Sequence, residues 1–441
     1  MGIHYGKSDF ITYGKPSLFL DFANKKNLKD RISGNNLITF TRSSTGTYVN
    51  SVGIITSNAA NVPRFEHNPS TGESLGLLIE DSRTNSLKYS NSFSTGGAGN
   101  WGSVGAFCVF TQNQTGPDGV SNSAWTIDDQ STAADAAGFE QSVSITPSAS
   151  TNYCLSIFAK QGTSASFDFY AFFTGTSTKG SYLKYNFNTD TVTVFSADGG
   201  GITPTIYGKI QYPNGWYRLY FVVNDANSGL NNLLLYRIYP GTRDGGVTGT
   251  TLFYGAQLEV GAFPTSYIPT VASTVTRSVD IASITGTNFS EFYNPSEGSV
   301  LCNGRIISIN PPTFGQIFWA IGDSATFDES VYLVNDHGQT NITFNMFDGG
   351  SSVFNTGSST VTDNSFNKTA VAIKLNDSAG SFNGSTPTTD TSCTLPTVNI
   401  LRIGNASWAV GAGVNALNGT ISQLSYYPRR LTNAQLQQLT Q

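Results

Sequence analysis

What most constrains this chain is a two-residue hydrophobic rhythm, repeated over much of its length and broken at short intervals by glycine, asparagine or serine. Tyr153, Leu155, Ile157 and Ala159 fall on alternate positions, as do Phe167, Phe169, Ala171 and Phe173. Alternation puts such side chains on one face of an extended strand, whereas an amphipathic helix needs a 3.6-residue period. Leu183, Tyr185 and Phe187 run into Asn188, Thr189 and Asp190, after which Val192 and Val194 return, the pattern of a hairpin. The segments 216–223 and 233–238 read as long core strands. Many short strands with turns between them, and almost no helical period, predict an all-β chain built from antiparallel β-sandwiches of jelly-roll or lectin-like type. Composition agrees: 46 glycines and 12 % aromatics with only 12 % charged residues favour tight turns around a packed core rather than disorder.

At roughly 100–200 residues per domain, 441 residues allow two or three domains. Residues 1–90 hold short strand patterns (Leu18, Leu20 and Phe22; Ile38 and Phe40; 76–80) and too few apolar residues for a core of their own. They are expected to form a strand-rich docking arm. Residues 91–275 carry the clearest strands and are expected to form a first sandwich, with 270–276 as a linker. Residues 276–441 are expected to form a second, from strands near 298–307, 316–321, 331–334, 342–347, 369–375 and 399–403. Asn383-Gly384 marks a hairpin turn. One helix is expected at the end, capped by Thr432 and facing inward through Leu436 and Leu439.

Charge and motif content exclude several functions. The net charge is −5, and the basic groups Lys25, Lys26, Lys29 and Arg31, or Arg429 and Arg430, are small and far apart, so no nucleic-acid partner is expected. No run of about 18 apolar residues predicts a membrane helix, and Met1 to Lys7 has no signal-peptide core. The cysteines, Cys108, Cys154, Cys302 and Cys393, form no CxxC. Cys154 sits in a strand pattern that favours a packed thiol, while a Cys108–Cys154 or Cys302–Cys393 bridge stays open.

Several stretches resemble a known group. Ser17 to Ala23, Ile38 to Tyr48, Pro63 to His67, Gly76 to Glu80 and Ser82 to Asn85 are similar to the opening of bacteriophage virion proteins of the tail-fibre, minor-tail and head-fibre kind. Gly255 to Glu259, Thr265 to Pro269 and Thr276 to Asp280 resemble the close of the carbohydrate-binding-module-like sandwich in such proteins. Residues 417–430 resemble the last strand of a laminin-G/concanavalin-A-like sandwich. The resemblance implies a place on the virion surface, synthesis in the host bacterial cytoplasm, and other virion proteins as partners, met through residues 1–90. It also implies possible host-surface polysaccharide and, as in many phage fibres, a homotrimer.

Chemistry is sparse. Glycosidases on concanavalin-like sandwiches need carboxylates on one face, but Asp128-Asp129 and Asp328-Glu329 are adjacent pairs that a strand would point apart. The three histidines, His4, His67 and His337, are isolated, and no nucleophile elbow or phosphate loop occurs. No catalytic residue and no cofactor is therefore expected, and the chain is read as a binding or structural protein. A polysaccharide depolymerase and a secreted lectin are the alternatives. Calcium is the one metal to consider, with Asp128, Asp129, Asp135 and Glu140 as its hard-oxygen donors. Trp216 and Trp319 read as core. Trp408, in a glycine-rich stretch, is the expected sugar platform, with Asp323, Asn335 and Asp336 as polar partners.

Overall fold

The computed structural model describes residues 14–94, 101–105, 108–131, 137–197, 200–201, 203–226, 229–243, 247–308, 315–326, 328–336, 339–406 and 415–441. Among these the chain is all-β, with antiparallel pairing in four large sheets that form two sandwiches. The inner sandwich is continuous in sequence. One of its sheets is ordered Tyr207–Gln211, Trp216–Val223, Tyr153–Gln161, Gly249–Val260, Ala124–Asp129, Cys108–Gln114. The other is ordered Thr191–Ala197, Lys179–Asn186, Ser166–Thr174, Leu233–Tyr239, Gly138–Ser144, Gly102–Val104. The alternating sets read from the sequence face each other between these sheets; 153–159 and 167–173 are buried, and Phe187, Val192 and Val194 pack half-buried at the margin. Their rings interlock: Phe169 meets Phe221 at 4.9 Å and Tyr236 at 4.8 Å between centroids, within the range of favourable aromatic pairs.

The outer sandwich is assembled from both ends of the chain. Its larger sheet runs Thr388–Asp390, Ser378–Phe382, Phe366–Lys374, Glu297–Ile306, Gly419–Tyr427, Ser74–Ile79, Phe65–His67, with Leu18–Asp21 also paired to Gly419–Tyr427. Its second sheet runs Thr39–Thr41, Ile281–Thr285, Ile400–Ile403, Gln316–Gly322, Ser330–Asn335, Asn341–Asp348, Ser351–Thr360. From residue 14 onward, therefore, the first 90 residues are not a separate arm. Leu18, Leu20, Phe22, Phe40, Leu77 and Ile79 are buried in one core with Val300, Trp319, Leu401 and Leu424. The physical reason is the shortage of apolar residues noted in the sequence, since a segment that cannot bury a core of its own completes another. The partners are remote, as in Leu18 opposite Tyr426, so no local pattern discloses them.

The inner sandwich is thus an insertion, and its two connections are clasped. Arg83–Asn85 on the way in pairs with Val275–Arg277 on the way out, so the expected linker ends in a strand. A further hairpin, Gly46–Val49 with Ile55–Asn58, lays Val49 and Ile55 against Phe158, Trp216, Leu252, Tyr254 and Tyr267 on the outer surface of the inner sandwich. Trp216 is core, but in this joint between the sandwiches. Trp319 is core in the outer sandwich, and all four cysteines are free. The C-terminal helix Asn433–Thr440 forms as expected, with Thr432 accepting from the Gln435 N–H and Gln435 reaching back to the Thr432 N–H.

Candidate functional site

The charged residues of the motif segments converge where the sandwiches meet. Arg42 comes from the turn after Thr39–Thr41, Arg64 from the start of Phe65–His67, Glu80 from the end of Ser74–Ile79, and Arg277 and Asp280 from the return out of the insertion. Arg64 is fully buried and binds Glu80 at 2.7 Å through Nη1 and Asp280 through Nη2. Arg42 Nη1 meets Asp280 Oδ1 at 3.1 Å, and Arg277 Nε lies 3.5 Å from Glu80 Oε2. The Ser266 N–H and hydroxyl each donate to Glu80 at 2.7 Å. Burial alone would push the Glu80 carboxyl up; Arg277, Arg64 and Ser266 overcome it and hold it down at about 2.

Beside this network lies a cleft of about 330 Å³. One wall comes from the hairpin and the strand Phe65–His67 (Tyr48, Glu66, Asn68), another from the inner sandwich (Lys209, Gln211, Tyr267), and a third from the outer sandwich (Arg305, Asn364, Thr420). Glu66 is partly exposed, and its Oε1 accepts from the Val49 N–H at 2.8 Å and the His67 N–H at 2.9 Å. Burial pushes its carboxyl up, the two backbone donors only partly offset this, and the result is about 7. His67 Nδ1 lies 3.0 Å from the Val49 carbonyl, and burial moves its imidazole down. Arg305 is tied to Asn364 at 2.7 Å, and Lys209 donates to the Asp190 carbonyl at 2.7 Å. The cleft thus presents a half-buried ring, amides and fixed cations to a ligand. Two carboxylates reach it with well-separated proton affinities, but both Glu80 oxygens are engaged by Arg64, Arg277 and Ser266.

The residues singled out from the sequence do not form one site. Trp408 lies outside the described residues. Asp323 stands beyond Gly322, where it accepts from Asn399 Nδ2 at 3.1 Å and the Ala325 N–H at 3.3 Å. Asn335 and Asp336 lie at the opposite end of the same strand pair, because Gly322 pairs with Ser330 and Gln316 with Asn335. At ~3.3 Å per residue that separates them by roughly 20 Å, too far to share a sugar ring. Asn335 Nδ2 donates to the carbonyls of Gln339 and Asn341, and Asp336 accepts from the Thr343 hydroxyl at 2.9 Å. Both therefore hold their own turn.

The acidic set is divided in the same way. Asp128 and Asp129 sit in one sheet of the inner sandwich, and Asp129 accepts from the Ser131 N–H at 2.9 Å. Glu140 is in the other sheet and is bound to Arg237 at 2.6 Å. Asp135 lies outside the described residues, and among the described residues no three such groups are placed to hold a metal. Trp101, Trp125, Trp216 and Trp319 are all buried. Tyr170, Tyr182 and Phe195 are neighbours across three strands, stacked at 4.3 and 4.7 Å, but Tyr170 is covered and Phe195 marks the exposed end. The junction cleft escaped sequence reading because its walls come from three distant segments. The only signal was a charge ending an apolar run, as in Leu77-Leu78-Ile79-Glu80.

Fold and site together define a protein of two interlocked antiparallel β-sandwiches with a polar cleft at their junction. No family model and no curated protein matches the chain. Among solved structures it is similar to a Ruminococcus gnavus IT-sialidase CBM40 bound to α2,3-sialyllactose, at TM-score 0.30 and 14 % identity over 35 % of this chain and 88 % of that one. It is also similar to the mouse laminin α1 chain, domains LG4-5, at TM-score 0.24 and 8 % identity over 70 % of this chain and 92 % of that one. A Trypanosoma rangeli sialidase in complex with sialic acid aligns at TM-score 0.29 and 9 % identity over 76 % of this chain and 61 % of that one. At scores this low the likeness fixes neither ligand nor activity for the present chain.

Proposed function

We propose that this chain is a non-catalytic adhesion protein on the surface of a bacteriophage particle, holding host-surface glycan in the cleft between its sandwiches. The observation that supports this is the make-up of the cleft. Asn68 and Gln211 offer hydrogen bonds beside the Tyr48 ring, flanked by Lys209 held on Asp190 and Arg305 held on Asn364, whereas the buried charges next to them are paired with one another. A small set of fixed polar groups around an apolar surface, at a domain junction, is what a ligand site requires. The virion placement draws on the resemblance of the motif segments. In this reading the chain is made in the bacterial cytoplasm and assembles with other virion proteins, as a homotrimer. Docking uses surface left over by the outer sandwich, since the N-terminal strands from residue 18 on are committed to it.

Mass spectrometry of purified particles, paired with binding of the whole chain to host polysaccharide, tests the proposal. The chain should be present in the particles and should retain polysaccharide without releasing reducing ends. Its absence from particles would overturn the virion placement and favour a secreted lectin.

One observation favours a depolymerase as a second reading: Glu66, in the wall of the cleft, keeps its proton to about pH 7, as a general acid needs. Release of reducing ends that Glu66→Gln abolishes would establish that reading. Release that survives the substitution would not.

A further inference from the structure

The outward face of the larger sheet of the outer sandwich changes chemistry part-way along. Leu301, Ala370, Ala372, Ala379 and Tyr427 are covered by Leu436 and Leu439 of the C-terminal helix. One row further, as the helix ends, the facing residues become polar: Gln423 stands opposite Asn303, and Asn303 opposite Lys368. An opening of about 350 Å³ lies there between Ala23 on one side and Thr440 and Gln441 on the other, lined by Asn303, Asn383, Ser422, Ser74, Glu73, Lys368 and the half-buried ring of Phe366. A narrow gap beside Gln423 and Ser425 shares its Asn303 and Lys368 walls.

Four buried polar atoms of this region have no hydrogen-bond partner: Asn303 Oδ1, Gln423 Nε2, Ser74 Oγ and Ser425 Oγ. Asn303 and Gln423 are each only 6 % exposed. Leaving such an atom unsatisfied costs about 1–3 kcal/mol, and native proteins rarely collect several in one place. The set contains one acceptor, one donor and two hydroxyls. A carboxylate or phosphate offers nothing to the Asn303 oxygen, and the lining carries one charge of each sign, Lys368 and Glu73, so it favours neither an anion nor a cation. Neighbouring hydroxyls, which donate and accept, serve Asn303 Oδ1 and Ser74 Oγ, which line the opening, whereas Gln423 Nε2 and Ser425 Oγ face the adjoining gap of about 10 Å³, too small for a sugar ring. Lys368 Nζ already donates to the Gln441 carbonyl at 2.7 Å, so its charge is not held ready for an anion. The volume far exceeds the ~30 Å³ share of one water and falls in the ~300–1,000 Å³ range of small-ligand sites. The Phe366 ring supplies an apolar surface for one face of a pyranose.

We infer that this groove binds a neutral saccharide of one or two rings. It is separate from the junction cleft and rests on the adhesion reading only for the source of the sugar. Saturation-transfer NMR on the whole chain, with glucose, galactose, N-acetylglucosamine and lactose at millimolar concentration, tests it. At least one of these sugars should receive magnetisation. Asn303→Leu and Ser74→Ala should each weaken that sugar's binding about tenfold or more. Because each replaces an unsatisfied polar group by an apolar one of similar size, melting temperature should hold or rise, which separates lost binding from lost fold.

Silence from all four sugars, or unchanged affinity in both variants, overturns the inference. If the variants lose a sugar but the chain is absent from particles, the groove stands and the adhesion reading falls. If host polysaccharide is retained at full strength while no sugar of the panel responds, the reading stands and the groove falls.

Discussion

Arg64 reaches two carboxylates, Glu80 just before the insertion and Asp280 just after it, and all three are sealed from solvent. Removing one member of a buried ion cluster strands the others, typically at about 3–5 kcal/mol. Asp280→Asn should therefore lower unfolding free energy by that order in denaturant titrations, and Arg64→Met by a similar amount. The carboxyl of Glu80 is held below its unfolded value of 4.5, so its stabilisation is complete above that pH and is lost as pH falls toward about 2. Glu66 behaves in the opposite sense. Between pH 4.5 and about 7 the native state keeps a proton that the unfolded chain has released, so this group's contribution declines as pH rises through that window. Glu66→Gln should flatten the fall in melting temperature over that range and leave the variant the more stable protein at pH 8. An unchanged pH profile would show that the carboxyl is better hydrated than its surroundings imply. Neither role was legible in the sequence, where these residues stood out only as parts of the segments that carry the resemblance. Burial of a charge depends on which distant strands close over it.

Elements with strong alternation were legible and those without it were not. The hairpin around Asn188, the strands 153–159 and 167–173, the turn at Asn383-Gly384 and the Thr432-capped helix form where the pattern puts them. Cys108–Gln114 and Ser351–Thr360, at sheet edges, carry mostly polar residues and left no period to read. Two single-residue tests belong to this scale. Gly76 has φ +102°, and a Cβ there would lie 2.1 Å from the Ile421 carbonyl oxygen, where the closing strand Gly419–Tyr427 bulges. Gly76→Ala should destabilise by at least the ~1–3 kcal/mol of a forced backbone conformation, seen as a lower denaturation midpoint. Thr432→Ala removes the capping box of the C-terminal helix and should cost about 1 kcal/mol, with faster amide exchange confined to residues 433–440.

At the scale of the molecule, the insertion runs between Arg83–Asn85 and Val275–Arg277, and the strands before it complete the outer sandwich. The sandwich 86–274 holds a complete core between its own sheets and should fold alone, giving a dispersed amide NMR spectrum. It should melt lower than in the whole chain, because Phe158, Trp216 and Tyr254 lose the cover of the hairpin. Residues 276–441 lack Leu18, Leu20, Phe40, Leu77 and Ile79 from their core and should show no cooperative thermal transition until residues 14–85 are supplied.

The clasp between Arg83–Asn85 and Val275–Arg277 also has a mechanical consequence. The strand Leu18–Asp21 lies antiparallel to the closing strand, with Leu18 opposite Tyr426, so tension applied outside that pair pulls on adjacent points at one end of the sheet. Such loading peels hydrogen bonds one after another instead of shearing them together. The inserted sandwich, anchored at two neighbouring points, stays off the line of force until the outer one has opened.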